Sequence, residues 1–337
     1  MKKIIISMMA VAALAACTKS EIQYETAGEI SFAPVARLNT KAAVTTTDYP
    51  DALNMYVFAN AGEATDVLPA GYDEPYFANA EFSQEGHDED VFGGVTPYYW
   101  PNVKKLIFSG YSKSGNVASL SPAYEYDATA GTWVIDMEGY VPSAGTATLG
   151  DNDLMWFPTT AESYGKPAQA DFTVDVVMQH ACSWVTINVK GDATTGADGT
   201  TWNILDLTIN DLAQEGDVIL GKTADWTPSA TTSAFEVFNG KKALTVGYVD
   251  YTQLSYTDLI LVPQDTKTLT ITYEFVSQAG LDPIQEVKTI DLTYTNDEGW
   301  EPGVHYTYNI TIGTQEILIE PTVKEWDTVT APDVVLQ

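Results

Sequence analysis

Few residues in this chain have the types and spacing that chemistry needs. His87, His180 and His305 are the only histidines among 337 residues, and none has a second at metal-ligand spacing. No Gly-x-Ser-x-Gly elbow and no glycine loop able to cradle a phosphate occurs. Carboxylates are plentiful, and Asp88, Glu89 and Asp90, or Asp151 and Asp153, or Asp297 and Glu298, could hold calcium weakly. None follows the regular ligand spacing of a calcium loop, and no pair stands out for glycoside chemistry. A solvated acidic turn is the expectation for each. His180 lies at a strand junction and His305 beside Tyr306 in a strand, so both read as structural. The sequence therefore implies no enzyme, no metal and no cofactor. The one binding constellation is aromatic: Tyr98, Tyr99 and Trp100, with Trp156 or Trp226, would form a shallow platform for a glycan or peptide if their rings were exposed.

The two cysteines have different surroundings. Lys2 and Lys3 head an apolar run over residues 4–16, broken only by Ser7, that ends Leu14-Ala15-Ala16-Cys17. A permanent membrane helix needs about 20 apolar residues, so this run is too short. A basic head, a short apolar run and small residues at its end mark a secretory signal. With a cysteine directly after, it resembles the signal of a bacterial lipoprotein. An ordinary signal that happens to end near a cysteine is the alternative. The resemblance implies cleavage before Cys17, acyl chains such as palmitate on that residue, and a stable anchor at a membrane surface outside the cytoplasm. Cys182 is then left alone, so no disulfide staples the fold. It lies in a strand-like segment beside Trp184 and is expected to be a buried thiol.

Composition narrows the partners. A hydrophobic content of 45% argues for a folded chain, and 46 acidic against 16 basic residues give a net charge of −30. Such a surface repels nucleic acid and anionic lipid. Thr, Val, Ile, Tyr and Trp are abundant and the apolar runs short, which is the pattern of an all-β protein.

The elements that must position any site are strands. Residues 18–28 are polar and read as a tether. Residues 29–35 read as a first strand with Ile30 and Phe32 on one face, followed by a loop with Arg37 and Lys41. Leu53, Met55 and Val57 alternate in a second strand, and residues 60–101 read as a long stretch of turns. Strands are expected over 103–111, 132–138 and 154–157. The polar, small-residue stretch 159–170 reads as a boundary, although strands on either side may pair across it. Beyond it, Phe172, Val174, Val176 and Met178, then Val185, Ile187 and Val189, keep period two across a break at Gln179-His180. Further strands are expected over 204–209, 218–220, 244–249, 259–262, 269–275, 287–294, 306–312, 317–319 and 323–326.

These segments resemble, in order, those of the Bacteroidales fimbrillin family. The residues that carry the resemblance are the lipoprotein signal with residues 29–32 and the basic loop, then Phe172 to Val176 with His180 and Ala181. The strand 259–264 running into Pro263-Gln264 follows, and the tail Trp300, Pro302, Gly303, Tyr306, Tyr308, Ile310, Ile312, Ile317 and Trp326 completes it. The resemblance implies two transthyretin-like β-sandwich domains in series, here 29–165 and 166–337, after a signal at 1–16 and a tether at 17–28. It implies an outer-membrane lipoprotein whose partners are other fimbrial subunits and a host or bacterial surface ligand. A protease would cut after Arg37, or failing that Lys41, and release the strand bearing Ile30, Phe32 and Val35. A neighbour's tail, with Val329, Val334, Val335 and Leu336 as its apolar residues, would fill the groove. A thin tail leaves room for an anchor, a tip or a glycan-binding lipoprotein that does not polymerise.

Overall fold

The computed structural model describes residues 28–34, 54–84, 91–113, 121–142, 153–167, 172–191, 200–244, 258–276, 281–293, 299–313 and 317–325. Every regular element among these residues is a strand. The first half contains β1 (Ser31–Pro34), β2 (Met55–Gly62), β3 (Glu74–Ser83), β4 (Phe92–Gly94), β5 (Lys105–Lys113), β6 (Ala123–Asp127), β7 (Thr132–Tyr140) and β8 (Leu154–Phe157). The middle contains β9 (Thr173–Val176), β10 (Gln179–His180), β11 (Ser183–Gly191), β12 (Thr201–Leu212), β13 (Gly216–Leu220) and β14 (Ala224–Pro228). The last part contains β15 (Ser233–Ala243), β16 (Asp258–Leu261), β17 (Thr268–Val276), β18 (Ile284–Asp291), β19 (Val304–Ile312) and β20 (Ile317–Glu325).

Four sheets result. The largest is an 8-stranded sheet ordered β10-β8-β5-β2-β3-β4-β1-β9. Its two ends, β9 and β10, are joined by only Val177 and Met178, so the sheet must curl back on itself. One face of that curl encloses a core of Phe32, Phe82, Phe108 and Phe157 with Met55, Val57 and Val174. The other three sheets have 4 strands each: β14-β13-β7-β6, β16-β11-β19-β20 and β15-β12-β17-β18. The last two enclose a second core around Val185, Ile187, Ile204, Ile271, Trp300 and Tyr308.

A third cluster joins the halves. Alternation along β11 sends Val185, Ile187 and Val189 into the second core and Trp184 to the opposite side. There Trp184, Cys182 and Ile260 pack with Phe58 and Tyr111 from the outer face of the curled sheet and with Ile135, Val218 and Leu220. Trp156 Nε1 donates to the Gly221 carbonyl at 3.1 Å, and Trp226 Nε1 to the Ala181 carbonyl at 2.6 Å, across the same cluster.

Several expectations need correction. The stretch 60–101, read as turns, contains β3 and β4. Period two is hidden in β3 because Asn79 takes a left-handed conformation (φ 49°) and makes a bulge, so the buried residues are Phe77, Ala80 and Phe82. The segments 317–319 and 323–326, read as two strands, are one strand, β20, as far as Glu325. Pro321 sits inside it opposite Tyr308, which an edge strand tolerates because the missing N–H can face away from the ladder. Strands on either side of the stretch 159–170 do pair across it, as the sequence reading allowed. β9 and β10 lie in the curled sheet with β1 and β8, while β13 and β14 continue the sheet of β7. Composition marks where the chain is exposed, and pairing partners are a separate matter.

Buried polar groups in the second core are satisfied in series. Trp300 Nε1 donates to the Tyr308 hydroxyl and that hydroxyl donates to the Leu292 carbonyl, both at 2.9 Å. Burial pushes the Tyr308 phenol up to about 12, so it remains the donor at any ordinary pH. Tyr308→Phe should leave both neighbours without a partner and destabilise the protein by about 1–3 kcal/mol. That loss would register as a lower urea midpoint with an unchanged slope.

Candidate functional site

The site that geometry singles out is the slot occupied by β1. The sequence Ile30-Ser31-Phe32 alternates, and both apolar side chains are fully buried. The backbone is held on both sides. On one side Ser31 and Phe32 pair antiparallel with Gly93 and Phe92 of β4. On the other, Ser31 to Pro34 run parallel to Thr173 to Val176 of β9. Upstream, Ile30 N donates to the Tyr98 carbonyl at 2.7 Å and Trp100 N to the Gly28 carbonyl at 3.4 Å. Among the described residues β1 is the only strand that pairs with β9. Removing it would strip β9 of its ladder and open the curled sheet between β4 and β9.

The slot has one deep pocket. Phe32 meets Phe82 and Phe108 edge-on, with ring centroids 4.9 and 5.1 Å away, and lies 6.2 Å from Phe157. Edge-to-face pairs add to the burial of the ring itself. The floor depends on Gly110: a Cβ there would lie 2.4 Å from the Phe157 ring, closer than packed atoms come. The absence of a side chain at 110 thus lets Phe157 sit where it supports Phe32.

Beyond the slot, a buried hydrogen bond ties β10 to the residue just before β8. His180 Nδ1 lies 2.6 Å from Asp153 Oδ2, with the His180 and Asp153 side chains 3% and 11% exposed. Tyr140 and Cys182 lie close enough to feel the Asp153 carboxylate. Desolvation first, and that charge second for Cys182, push both groups well above their ordinary values. Cys182 is therefore a buried, protonated thiol, as its sequence setting implied. His305 stacks on Trp184 with ring centroids 3.6 Å apart, and its Nε2 lies 2.8 Å from Thr186 Oγ1.

The aromatic platform does not form. Trp100 is 2% exposed and packs edge-on against Phe108, while Tyr98 lies on Phe77, with centroids 4.5 Å apart. Trp156 is 3% exposed and Trp226 half-buried with its indole N–H used internally. Tyr98 and Trp100 follow the curl of the sheet into its interior, and Trp156 and Trp226 pack in the cluster on its outer face. Cys17, Val35, Arg37, Lys41, Val329, Val334, Val335 and Leu336 lie outside the described residues. Among the described residues no group of three or more His, Cys, Asp or Glu is placed to hold a metal. Sequence reasoning identified Ile30 and Phe32 but missed the walls of the slot. The wall residues Phe92 and Tyr98 lie in the stretch read as turns, and nothing local tells that β9 pairs with residues 31–34.

A family model described as fimbrillin-like matches residues 40–326, and the chain belongs to that family. It is accordingly a structural protein of the fimbrial type and not an enzyme. Among solved structures it is similar to a fimbrial protein from Bacteroides vulgatus, with a TM-score of 0.63 and 15% identity over 88% of this chain and 99% of that one. It is similar also to a protein from Bacteroides uniformis assigned to cell adhesion, with a TM-score of 0.52 and 17% identity over 89% and 98% of the two chains. Another such protein, from Bacteroides ovatus, matches with a TM-score of 0.50 and 15% identity over 90% and 99%. No curated protein matches the chain.

Two substitutions probe the slot from opposite sides. Phe32→Ala should destabilise the protein by about 3–5 kcal/mol through the cavity it leaves. Gly110→Ala should destabilise it as well, by about 1–3 kcal/mol, because Phe157 must be displaced. Thermal and urea unfolding would register both, with Ser31→Ala as a near-neutral control.

Proposed function

We propose that this chain is a structural subunit of a cell-surface fimbria, assembled by donor-strand exchange and contributing to adhesion. The observation that carries the reading is β1 itself. It is short, it lies between two strands that among the described residues do not pair with one another, and it places one aromatic ring at the centre of a core. A strand of that kind can be withdrawn as a unit, and what remains is a groove with unpaired backbone on both walls. Each buried apolar side chain that leaves forfeits about 1.5–3 kcal/mol, so the opened groove has a strong demand for a replacement strand.

In this reading the chain is exported as an outer-membrane lipoprotein acylated at Cys17, and its two halves are transthyretin-like β-sandwiches in series. The first comprises the curled sheet with the β14-β13-β7-β6 sheet, and the second the two remaining sheets. A trypsin-like protease cuts after Arg37, with Lys41 as the alternative site, and releases the strand of Ile30, Phe32 and Val35. The tail of the next subunit, over residues 328–337 with Val329, Val334, Val335 and Leu336 as its apolar anchors, enters the groove. Head-to-tail exchange does not close, so it gives a filament. The partners are other copies or other fimbrial subunits, and a host or bacterial surface ligand at the exposed end.

Limited trypsin digestion of the purified chain, followed by unboiled gel electrophoresis and negative-stain microscopy, tests the reading. Cleavage after Arg37 should give a ladder of detergent-resistant oligomers and thin filaments, and Arg37→Ala with Lys41→Ala should abolish both. A cleaved chain that keeps its first strand and stays monomeric would overturn the polymerising role and leave that of an anchor or tip.

A further inference from the structure

β18 is the outermost strand of the β15-β12-β17-β18 sheet, and among the described residues its only strand partner is β17. Its exposed residues include Ile284 at 51% and Val287 at 59%. An edge strand of this length without proline is a ready template for another strand, unless charge or a bulge blocks it. β18 has neither a bulge against β17 nor a charge of one sign only. Glu286 and Lys288 stand on one face, their charged groups 3.4 Å apart, and Glu286 also accepts a hydrogen bond from the Tyr273 hydroxyl at 3.0 Å.

Read outward from Val287, the strand is Ile284-Gln285-Glu286-Val287-Lys288-Thr289-Ile290, which is complementary to its own reverse. Set antiparallel to a second copy about Val287, it places Glu286 opposite Lys288, Gln285 opposite Thr289 and Ile284 opposite Ile290. Val287 then faces its own counterpart. Residues so placed have Cβ atoms about 4.5–5.5 Å apart, close enough for each pair to contribute. Pro283 falls opposite Asp291, so the ladder ends there without a like-charge pair. The neighbouring registers that keep both cores on the same side of the joined sheet put Glu286 against Glu286, or Lys288 against Lys288. Charge therefore selects one register.

We infer that β18 is a self-pairing edge, through which two copies of this chain join antiparallel about Val287 into one continuous sheet. The contact is isologous and closes after two copies, unlike head-to-tail strand donation, and it does not rest on the strand-exchange reading. It uses a strand of a different sheet from the one that holds the slot of β1.

Sedimentation velocity over a rising concentration of the full chain, with Cys17→Ser to prevent acylation, tests the contact. A reversible monomer–dimer equilibrium is expected. Two-fold symmetry applies every substitution twice, so Glu286→Lys and Lys288→Glu should each weaken the dimer by about tenfold or more. The double variant restores opposite charges across the axis and should recover the original affinity to within about threefold. Val287→Arg, an exposed outward position, should abolish the dimer while leaving thermal unfolding unchanged. A chain that stays monomeric at every concentration overturns the proposal, as does a dimer indifferent to Val287→Arg. So does a double variant that unfolds at the original temperature yet remains monomeric.

Discussion

The first half of this protein depends on one ring. Phe32 stands where four strands of the curled sheet converge, against Phe82, Phe108 and Phe157 from β3, β5 and β8. A sheet that supplies both sides of its own core must bring its two ends round to each other, here β9 and β10, which the chain links directly. β1 attaches β9 to the rest of the sheet, antiparallel to β4 and parallel to β9, and Phe32 fixes its register because a slip of one residue would turn the ring outward. The same arrangement explains why so short a strand can matter so much. Its backbone bonds are few, yet their loss strips β9 of its ladder and leaves β4 paired on one side only.

Around that closure the rest of the chain is arranged in layers that share strands and side chains. β11 is buried on both faces at its start, with Trp184 toward the first half and Val185 toward the second. The indole N–H groups of Trp156 and Trp226 reach carbonyls across the same cluster, so its polar atoms are used to register the layers. The His180–Asp153 pair adds a buried hydrogen bond at the seam between β8 and β10. Removing one partner leaves the other buried without that bond, which is costly. It therefore fixes where the end of the curled sheet sits.

The two candidate surfaces illustrate opposite treatments of a sheet edge. β1 fills a gap between two edges and so conceals both. Among the described residues β18 leaves one edge open, and its charges are distributed so that a second copy is matched in one register.

The all-β class and the placement of Ile30 and Phe32 on one face of a strand were legible in the sequence, because period two and turn residues are local signals that survive without tertiary context; the fimbrillin family was legible only as a resemblance of ordered segments. Cys182 beside Trp184 was legible for the same reason. The strands β3 and β4 were not, since a single bulge at Asn79 shifts the buried positions by one and erases the alternation. The aromatic cluster Tyr98, Tyr99 and Trp100 looked like a surface, and only the curl of the sheet turned Trp100 inward. A boundary near residue 165 was suggested by composition, but β9, β10, β13 and β14 pair with strands from before it. Sequence determines which residues prefer to be buried and where the chain can turn. Which strand lies beside which depends on pairing between segments far apart in the chain, whose hydrogen bonds are the same for every residue type, and so the tertiary structure alone decides it.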